Sequence, residues 1–381
     1  MSKPFGVRNS WHLCKIRGID IFIDSSWLII FLLVTWTLAS HYFPSQNPDV
    51  PLLFNWILGI IASLLFFASV LAHELSHSLV AQQQGEQVKN ITLFIFGGVA
   101  QIGDEPDKPL KEFLIAFVGP LTSIAIGVIS YGTWWLLEGI TPPFASIFRY
   151  LGFINIALAC FNLVPGFPLD GGRILRALIW GITKNVKFAT RVASISGKVV
   201  AFLLIGLGIW MIFTGLTLNG IWMIFIGWFL YNAARNSYRH LLVKDALHEI
   251  RVEDLMITDF DTVPPNMTIQ QLVDDYILRH KDRGFLVIEG GLVKGIICLH
   301  DVKQVPREQW STTTIGNIMI PQEHLEKVSP RDDANIALNK LTARNIHQVP
   351  VVQANKVMGI LRRNDILNYL QLHNDLGTKV S

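Results

Sequence analysis

Apolar residues are unevenly distributed along the chain. Long apolar runs fill residues 24–235, whereas residues 240–381 mix apolar and charged positions as a water-soluble domain does. A helix needs roughly 20 mostly apolar residues to cross about 30 Å of hydrocarbon. We therefore predict a multi-pass α-helical membrane domain at 1–240, followed by an α+β domain at 241–381. Six runs predict transmembrane helices, at about 24–41, 52–74, 113–137, 147–165, 198–214 and 219–233.

Lysine and arginine lie in alternate connections between these runs. They precede the first run, and they lie between the second and third and between the fourth and fifth. The connections near 42–51, 138–146 and 215–218 contain neither residue. Cytosolic loops are the ones enriched in Lys and Arg. We therefore expect an integral protein of the cell membrane with its N-terminus, its C-terminus and the soluble domain in the cytosol.

One further apolar stretch, NITLFIFGGVAQIG (90–103), is too short to cross the membrane and too apolar for a free loop. Its alternation and paired glycines predict a small re-entrant β-hairpin that turns at Gly97 and Gly98. Irregular backbone at membrane depth is tolerated where it is buried in protein or lines a water-filled cavity. The stretch therefore predicts a cavity beside the second helix, on the cytosolic side.

Composition supports the membrane class and excludes others. Hydrophobic residues make up 51% of the chain and charged residues 16%, against about 25% charged residues in soluble domains. The net charge of +3 and the lack of a basic tract with interleaved aromatics argue against a nucleic-acid partner. The three cysteines are far apart without C-x-x-C spacing, so the sequence predicts neither a disulfide framework nor a cysteine metal site.

The candidate chemistry begins at LAHELSHSLVAQ (71–82), where the second run ends. Residues at i and i+4 share one face of a helix, so His73 and His77 can point at one ion with Glu74 beside them. Two imidazoles suit Zn²⁺, which in catalytic sites has three protein ligands and a water. Ionisable groups near membrane depth are costly and usually functional. A buried hydrogen-bonded network without metal is the alternative.

The best candidate for a third ligand is Asp170 in FNLVPGFPLDGGR (161–173). Two glycines follow it and allow the backbone to come close. The second and fourth runs both cross towards the cytosol in the predicted topology, so His77 and Asp170 reach the same depth. A helix N-cap after the Pro-Gly turn is the alternative role for this aspartate.

Together HELSH, the FGG stretch and N-x-x-P-x-x-x-x-D-G-G-R resemble the site-2 protease family of intramembrane zinc metalloproteases over about residues 10–235. The resemblance implies that His73, His77 and Asp170 bind one zinc ion and that Glu74 is the general base. It implies hydrolysis of peptide bonds in or near transmembrane segments of membrane proteins. The family commonly has proline directly after the asparagine of the second motif, where this chain has Leu163.

Two further site roles follow from that reading. The side-chain amide of Asn162 is positioned by the motif to donate a hydrogen bond to the oxyanion, and a turn-stabilising asparagine is the alternative. Gly97 and Gly98 are candidate substrate-binding residues, since a strand edge there can pair with an unwound substrate segment. A hairpin that only plugs the cavity is the alternative.

The soluble domain repeats itself. VEDLM (252–256) recurs as IGNIM (315–319), and residues 283–302 recur as 347–366. Each unit predicts a leading strand, a helix, two strands around a turn and a closing helix. This arrangement is similar to a tandem pair of CBS repeats, which implies a regulatory module that pairs into homodimers and binds adenine nucleotides between its repeats. The repeats cover about residues 250–306 and 313–371.

The CBS resemblance also names candidate nucleotide contacts. In that family an acid for the ribose lies three residues after a Ser or Thr for the phosphate, and this chain keeps the acids as Asp301 and Asp365. The hydroxyl positions hold Cys298 and Arg362. Arginine can pair with a phosphate, whereas a thiol replaces a hydroxyl poorly. Helix N-caps are the alternative role for both acids.

Two competing functions use the same residues. A membrane ion transporter or channel gated by CBS repeats would bind its ion at His73 and His77. Transporters commonly show repeated, broken helices in their two halves, and residues 24–235 show no such symmetry. An inactive scaffold that only binds membrane helices has no need for an intact Glu74. The protease is therefore the favoured hypothesis.

Overall fold

The computed structural model describes residues 10–375 except 96, 104–105, 248–249, 281–283, 291, 344–345 and 355. Lys3 and Arg8, which contribute to the predicted orientation, lie outside the described residues. The chain forms two compact units that divide between Leu241 and Leu242. We call them the N-terminal unit and the C-terminal unit.

Long helices form most of the N-terminal unit. Five of the described helices are long and apolar enough to cross a membrane, and these are α1, α2, α3, α4 and α6. The sixth predicted span lies in α7, where Asn219 and Asn232 lower the hydropathy, and it stays a prediction. The bounds are α1 (Ser25–Gln46), α2 (Leu52–Gln83), α3 (Pro109–Leu137), α4 (Pro142–Asn162), α5 (Asp170–Thr183), α6 (Val186–Phe213) and α7 (Thr217–Ala246).

Helix α2 extends beyond the predicted end at residue 74. It runs to Gln83 and ends before Gly85, which has a φ of +89°. No glycine or proline interrupts residues 75–83, and the leucine, alanine and glutamine residues that recur there are good helix formers. His73, Glu74 and His77 therefore lie inside a continuous helix, which fixes their relative directions.

A four-stranded sheet accompanies the helices, in the order β1 (Ser10–Ile16), β2 (Ile19–Asp24), β3 (Val88–Phe94) and β4 (Gly97–Ile102). Strands β1 and β2 are antiparallel, β2 and β3 are parallel, and β3 and β4 are antiparallel. Strands β1 and β2 were not predicted from the sequence. The predicted turn at Gly97 and Gly98 is wrong, because Gly97 pairs with Phe94 and Gly98 pairs with Leu93 inside the ladder. The depth of the β3–β4 hairpin in the membrane stays a prediction.

Polar and small residues pack between the helices, and large apolar residues lie outside. The hydroxyl of Thr35 donates to Ser63 at 2.9 Å, and both side chains are buried. A Cβ at Gly59 would lie 3.1 Å from that of Ala39, so α1 and α2 approach closely. Leu53 and Phe213 are 75% and 85% exposed. This distribution suits a bundle whose solvent is lipid.

The C-terminal unit contains two similar βαβ-type repeats. Its strands are β5 (Thr262–Val263), β6 (Gly284–Glu289), β7 (Leu292–Cys298), β8 (Ile320–Pro321), β9 (Gln348–Gln353) and β10 (Lys356–Arg362). Its helices are α8 (Val252–Leu255), α9 (Ile269–Gln271), α10 (Leu278–His280), α11 (Leu299–Val302), α12 (Ile315–Ile318), α13 (Ala334–Ala343) and α14 (Arg363–Asp375).

Strand pairing follows the repeat. Strand β6 pairs antiparallel with β7 in the first repeat, and β9 pairs antiparallel with β10 in the second. The leading strand of the first repeat is β5, which runs parallel to β6. Its counterpart is a single parallel bridge between Val328 and Val351. Each repeat has its own buried cluster, centred on residues such as Phe285 in the first and Leu361 in the second.

Candidate metal centre

Three side chains from two helices meet at one point in the N-terminal unit. His73 and His77 lie one turn apart on α2, and Asp170 is the first residue of α5. The two Nε2 atoms are 3.2 Å apart. Oδ2 of Asp170 lies 3.1 Å from Nε2 of His73 and 3.2 Å from Nε2 of His77. Both histidines are buried, and their exposed fractions are 3% and 7%.

A hydrogen bond at Nδ1 of each imidazole ring orients the Nε2 atom that faces the centre. Nδ1 of His77 lies 2.6 Å from the carbonyl oxygen of Ile115, which only accepts, so Nδ1 carries the hydrogen and Nε2 of the neutral ring presents a lone pair. Nδ1 of His73 lies 2.9 Å from Oγ of Ser123, a hydroxyl able to accept in the same way. Such outer contacts fix ring orientation and tautomer at metal sites.

The donor set fits a zinc ion. Ligand atoms about 2.0–2.1 Å from a tetrahedral zinc are about 3.3–3.4 Å from one another. The observed separations of 3.1 and 3.2 Å are close to this value. Two imidazole lone pairs and a carboxylate also repel one another at this distance, and a cation removes that repulsion. The three residues therefore form a group able to hold one metal ion.

The start of α5 places Asp170 at this point. Leu169 is the N-cap residue of α5 and makes no side-chain capping bond, so Asp170 is not the N-cap. A Cβ at Gly171 would lie 2.3 Å from the carbonyl oxygen of Leu163, and one at Gly172 would lie 2.4 Å from the carbonyl carbon of Gly166. The two glycines therefore let α5 pack directly on the loop that precedes it.

Helix α3 closes the centre from behind. A Cβ at Gly119 would lie 2.2 Å from Nε2 of His77 and 2.7 Å from Nε2 of His73. No real Cβ tolerates such distances, so the glycine is required for α3 to pass this close. Strand β4 passes Glu74 in the same way, since a Cβ at Gly98 would lie 2.4 Å from its Cγ.

A cavity of about 600 Å³ opens in front of these residues. His73, Glu74, His77 and Asp170 line it on one side, and the first residues of β4 line it on another. Most of the remaining wall is apolar and comes from α1, α2, α4 and α7. The wall includes Ile30, Val34, Phe66, Phe67, Val70, Leu158, Phe161, Trp222, Phe225, Ile226, Phe229 and Leu230.

Comparison with known proteins gives the same assignment for both units. Residues 61–143 and 138–207 match the profile of Peptidase family M50, and residues 252–308 and 315–372 match that of the CBS domain. A protein of Synechocystis sp. that carries a zinc metalloprotease name is 35% identical over 372 residues, which cover 96% of each chain. A zinc metalloprotease of Methanocaldococcus jannaschii is 30% identical over 366 residues, covering 95% of this chain and 96% of its own.

The chain belongs to peptidase family M50. A solved site-2 protease from Methanocaldococcus jannaschii is 31% identical and covers 60% of this chain and 95% of its own, with a TM-score of 0.42. The predicted resemblance to site-2 proteases with CBS repeats is confirmed, and the M50 protease is a zinc metalloprotease. Nothing in these relatives supports the alternative of an ion transporter.

Asn162, the last residue of α4, lines the cavity of the M50 protease. Its side chain forms no hydrogen bond within the part of the chain that the structure describes, so a turn-stabilising role has no observed contact. Gly97 and Gly98 also line the cavity, as the first residues of β4. The structure thus places all of the candidate residues of the protease unit around one cavity.

The candidate nucleotide residues of the C-terminal unit do not all share a cavity. Asp301 and Cys298 line one of about 810 Å³, whereas Asp365 and Arg362 are absent from the described residues that line it. Asp301 accepts a hydrogen bond from the backbone N–H of Cys298 at 2.8 Å, and Asp365 accepts one from that of Arg362 at 3.2 Å. Neither acid is therefore the N-cap residue of its helix; each is the third helical residue and accepts from the backbone N–H of the residue before the helix, as in a capping box.

The sequence analysis missed several residues that shape the centre. Ser123, the carbonyl of Ile115 and Gly119 all lie on the face of α3 that contacts the two histidines. The available signal was the GPLTS stretch, in which a glycine and a serine four residues apart interrupt an apolar run. Residues four apart share a helix face, but the run does not say which helix that face contacts.

We expect Gly119→Ala to lose zinc, because the added methyl group would occupy the space of both Nε2 atoms. Overpacking costs about 1–3 kcal/mol, which corresponds to a loss of about 5- to 150-fold in zinc affinity if the cost falls on the metal-bound state. Zinc per purified chain is measured by elemental analysis during titration with a chelator. Gly132→Ala is the matched control on α3, since nothing lies within 4 Å of its added Cβ. Equal zinc retention in both variants would contradict the close approach.

We also expect Cys298 to be unreactive. Burial, and to a smaller extent the charge of Asp301, raises the pKa of the Cys298 thiol from 9.0 to about 12. Only the thiolate reacts with iodoacetamide, so labelling at pH 8 should be about a thousandfold slower in the folded protein than in the urea-unfolded protein. The folded-state rate should rise as the pH increases towards the raised pKa. Mass spectrometry of the labelled peptide measures both rates, and equal rates would show that the thiol is not shielded.

Proposed function

We propose that this M50 protease cleaves peptide bonds in or near the transmembrane segments of membrane proteins. One observation carries the proposal: three convergent donor atoms lie beside Glu74 in a largely apolar cavity among helices of membrane-spanning length. The apolar wall suits the side chains of a transmembrane substrate. The polar residues at one end of the cavity suit the reacting amide.

His73, His77 and Asp170 are assigned as the ligands of one zinc ion, through two Nε2 atoms and one carboxylate oxygen. Zinc in such a site acidifies a bound water and polarises a carbonyl. Glu74 lies beside the ligands and lines the cavity, so its carboxylate is the candidate base. It takes a proton from the attacking water and later gives it to the leaving amide nitrogen.

Asn162 is assigned to stabilise the oxyanion. Its position at the end of α4 brings it to the same cavity as Glu74. A side-chain amide donates a hydrogen bond to the carbonyl oxygen as negative charge develops. The donor is available because the described residues give this side chain no competing hydrogen bond.

Strand β4 is assigned to bind the substrate backbone. One edge of β4 pairs with β3, and the residues from Gly97 to Ala100 line the cavity. A substrate helix must unwind before its carbonyl can react, since its amides are hydrogen-bonded within the helix. A strand edge accepts such an extended segment through backbone hydrogen bonds. The close passage of Gly98 over Glu74 then brings the paired segment to the base.

The C-terminal unit is assigned a regulatory role. The protein is assigned to the cell membrane, with both termini of the chain on the cytosolic side. The distribution of Lys and Arg supports this orientation. An adenine nucleotide is the proposed ligand of the cavity that Asp301 lines, and association of two chains through the CBS repeats is the proposed assembly. Arg362 and Asp365 are the proposed nucleotide contacts at the equivalent position of the second repeat.

The catalytic assignment predicts different results for base and ligand. Glu74→Gln should keep about one zinc per chain and lose cleavage, because it removes the base and leaves all three donors. Asp170→Ala should lose cleavage and bind zinc at least tenfold more weakly, because it removes a ligand. Elemental analysis measures zinc in detergent-purified protein, and a panel of single-span substrates reports cleavage.

Gln101→Ala is a suitable control, since this residue lies on β4 outside the cavity lining and bonds Asn90. A wild-type protein that binds zinc without cleaving any substrate would favour the inactive scaffold. A wild-type protein that neither holds zinc nor recovers it on supplementation would overturn the proposed site.

The strand assignment predicts that Gly98→Ala loses cleavage and keeps zinc. The added Cβ would collide with Glu74 and displace β4, but it lies away from the three ligands. We expect the catalytic rate to fall by about 5- to 150-fold, which is equivalent to the cost of about 1–3 kcal/mol for an overpacked contact. Cleavage kinetics and zinc content are measured on the same preparation. Loss of zinc in this variant would show that β4 supports the ligands and not Glu74.

A further inference from the structure

A buried ion pair joins α3 to α5 close to the metal centre. Nε and Nη2 of Arg176 lie 2.6 and 2.5 Å from Oε1 of Glu112. The exposed fractions of Arg176 and Glu112 are 8% and 2%. Glu112 lies in the first turn of α3, and Arg176 lies in the second turn of α5.

Stability alone does not explain such a pair. Taking two charges out of water costs several kcal/mol per ion, and replacing a buried pair with apolar residues is often neutral or stabilising. A buried charge pair does fix the relative position of the two helices that carry it. Its hydrogen bonds are directional, and separating the two side chains would leave each charge buried without its partner. The pair therefore suits an element whose position must be held in one register.

Arg176 also contacts the loop that leads to Asp170. Its guanidinium lies over the ring of Phe167, 5.4 Å from the ring centroid. Phe167 is buried, and its backbone N–H donates to the carbonyl of Ala193 on α6 at 3.1 Å. One side chain thus joins α3, α5 and the loop before the proposed ligand.

Helix α3, which Arg176 contacts through Glu112, also contacts the two histidines of the metal centre. Helix α3 carries Glu112, and one turn later the carbonyl of Ile115 accepts from His77 at 2.6 Å. Gly119 and Ser123 continue the same face: Gly119 lies against both imidazoles, and Ser123 bonds that of His73. Any rotation or sliding of α5 against α3 would therefore move Asp170 relative to His73 and His77.

We propose that Arg176, held by Glu112 and packed on Phe167, is the positioning residue for Asp170 in the metal centre. The inference rests on the proposed role of Asp170 as a ligand. In this assignment Arg176 contributes no atom to the metal or to the reaction. It acts by fixing the rotation and height of α5, and so the direction of the carboxylate at its first residue.

The test measures the metal affinity of full-length variants by chelator competition and the absorption spectrum of the Co²⁺-substituted proteins. Arg176→Met should weaken zinc binding by about 10–100-fold, as loss of an outer contact does at other metal sites, and should shift the Co²⁺ bands. Arg176→Lys should restore part of the affinity, because it keeps the charge but not the planar group. The matched control is Arg149→Met, which removes a cation–π contact with Trp134 and a hydrogen bond to Gln46 on other helices.

A double variant separates positioning from folding. Glu112→Leu with Arg176→Met removes both charges of this ion pair at once, so it should fold even where the single variant, which removes only one of them, does not. We expect it to recover thermal stability while zinc affinity stays at least tenfold below wild type.

Wild-type affinity and Co²⁺ bands in the double variant would overturn the positioning role. A wild-type protein without zinc would overturn the proposed site as well, whereas wild-type zinc binding with unchanged variants would overturn this inference alone.

Discussion

Three metal-ligand atoms, from His73, His77 and Asp170, lie within 3.2 Å of one another inside the helical bundle of a membrane protein. Holding them together against their mutual repulsion is the constraint on which the surrounding structure depends. Lone pairs at this separation repel one another, and the burial of both histidines reduces screening by solvent. The far side of each imidazole is therefore held, His77 by the carbonyl of Ile115 and His73 by Ser123. Preorganised donors of this kind suit a cation, because the cost of bringing them together is met when the chain folds.

The backbone of two neighbouring elements comes close to the side chains of the metal centre. Helix α3 passes the imidazoles at Gly119, and strand β4 passes the carboxylate at Gly98, and in both places one methyl group would overlap the neighbouring side chain. The two glycines thus define opposite limits of the site. The first leaves no space behind the donors, so a ligand must enter from the cavity. The second brings a strand edge to that cavity, where a substrate backbone is needed.

Local patterns predicted the local parts of this structure. Helix spacing places His73 and His77 on one face, and counting the apolar runs brings Asp170 to the same depth, so the sequence alone indicated that they meet. The misplaced turn has a local cause too, since Gly97 and Gly98 resemble turn residues but extend β4. The parallel pairing of β2 with β3 and the ion pair of Glu112 with Arg176 depend on contacts between distant segments. No periodicity along the chain reports such contacts.

The capping contacts in the C-terminal unit leave room for a ligand. A carboxylate has two oxygens and about four acceptor sites, and Oδ2 of Asp301 uses one of them for the backbone N–H of Cys298. A ribose hydroxyl can therefore bind the same group without uncapping the helix. The missing interaction is at the phosphate, because the half-buried thiol of Cys298 is a weak hydrogen-bond donor. Any nucleotide held in the cavity beside Asp301 must accordingly obtain its phosphate contacts from other residues. The imidazoles that line that cavity, those of His300, His324 and His347, are the candidate hydrogen-bond donors.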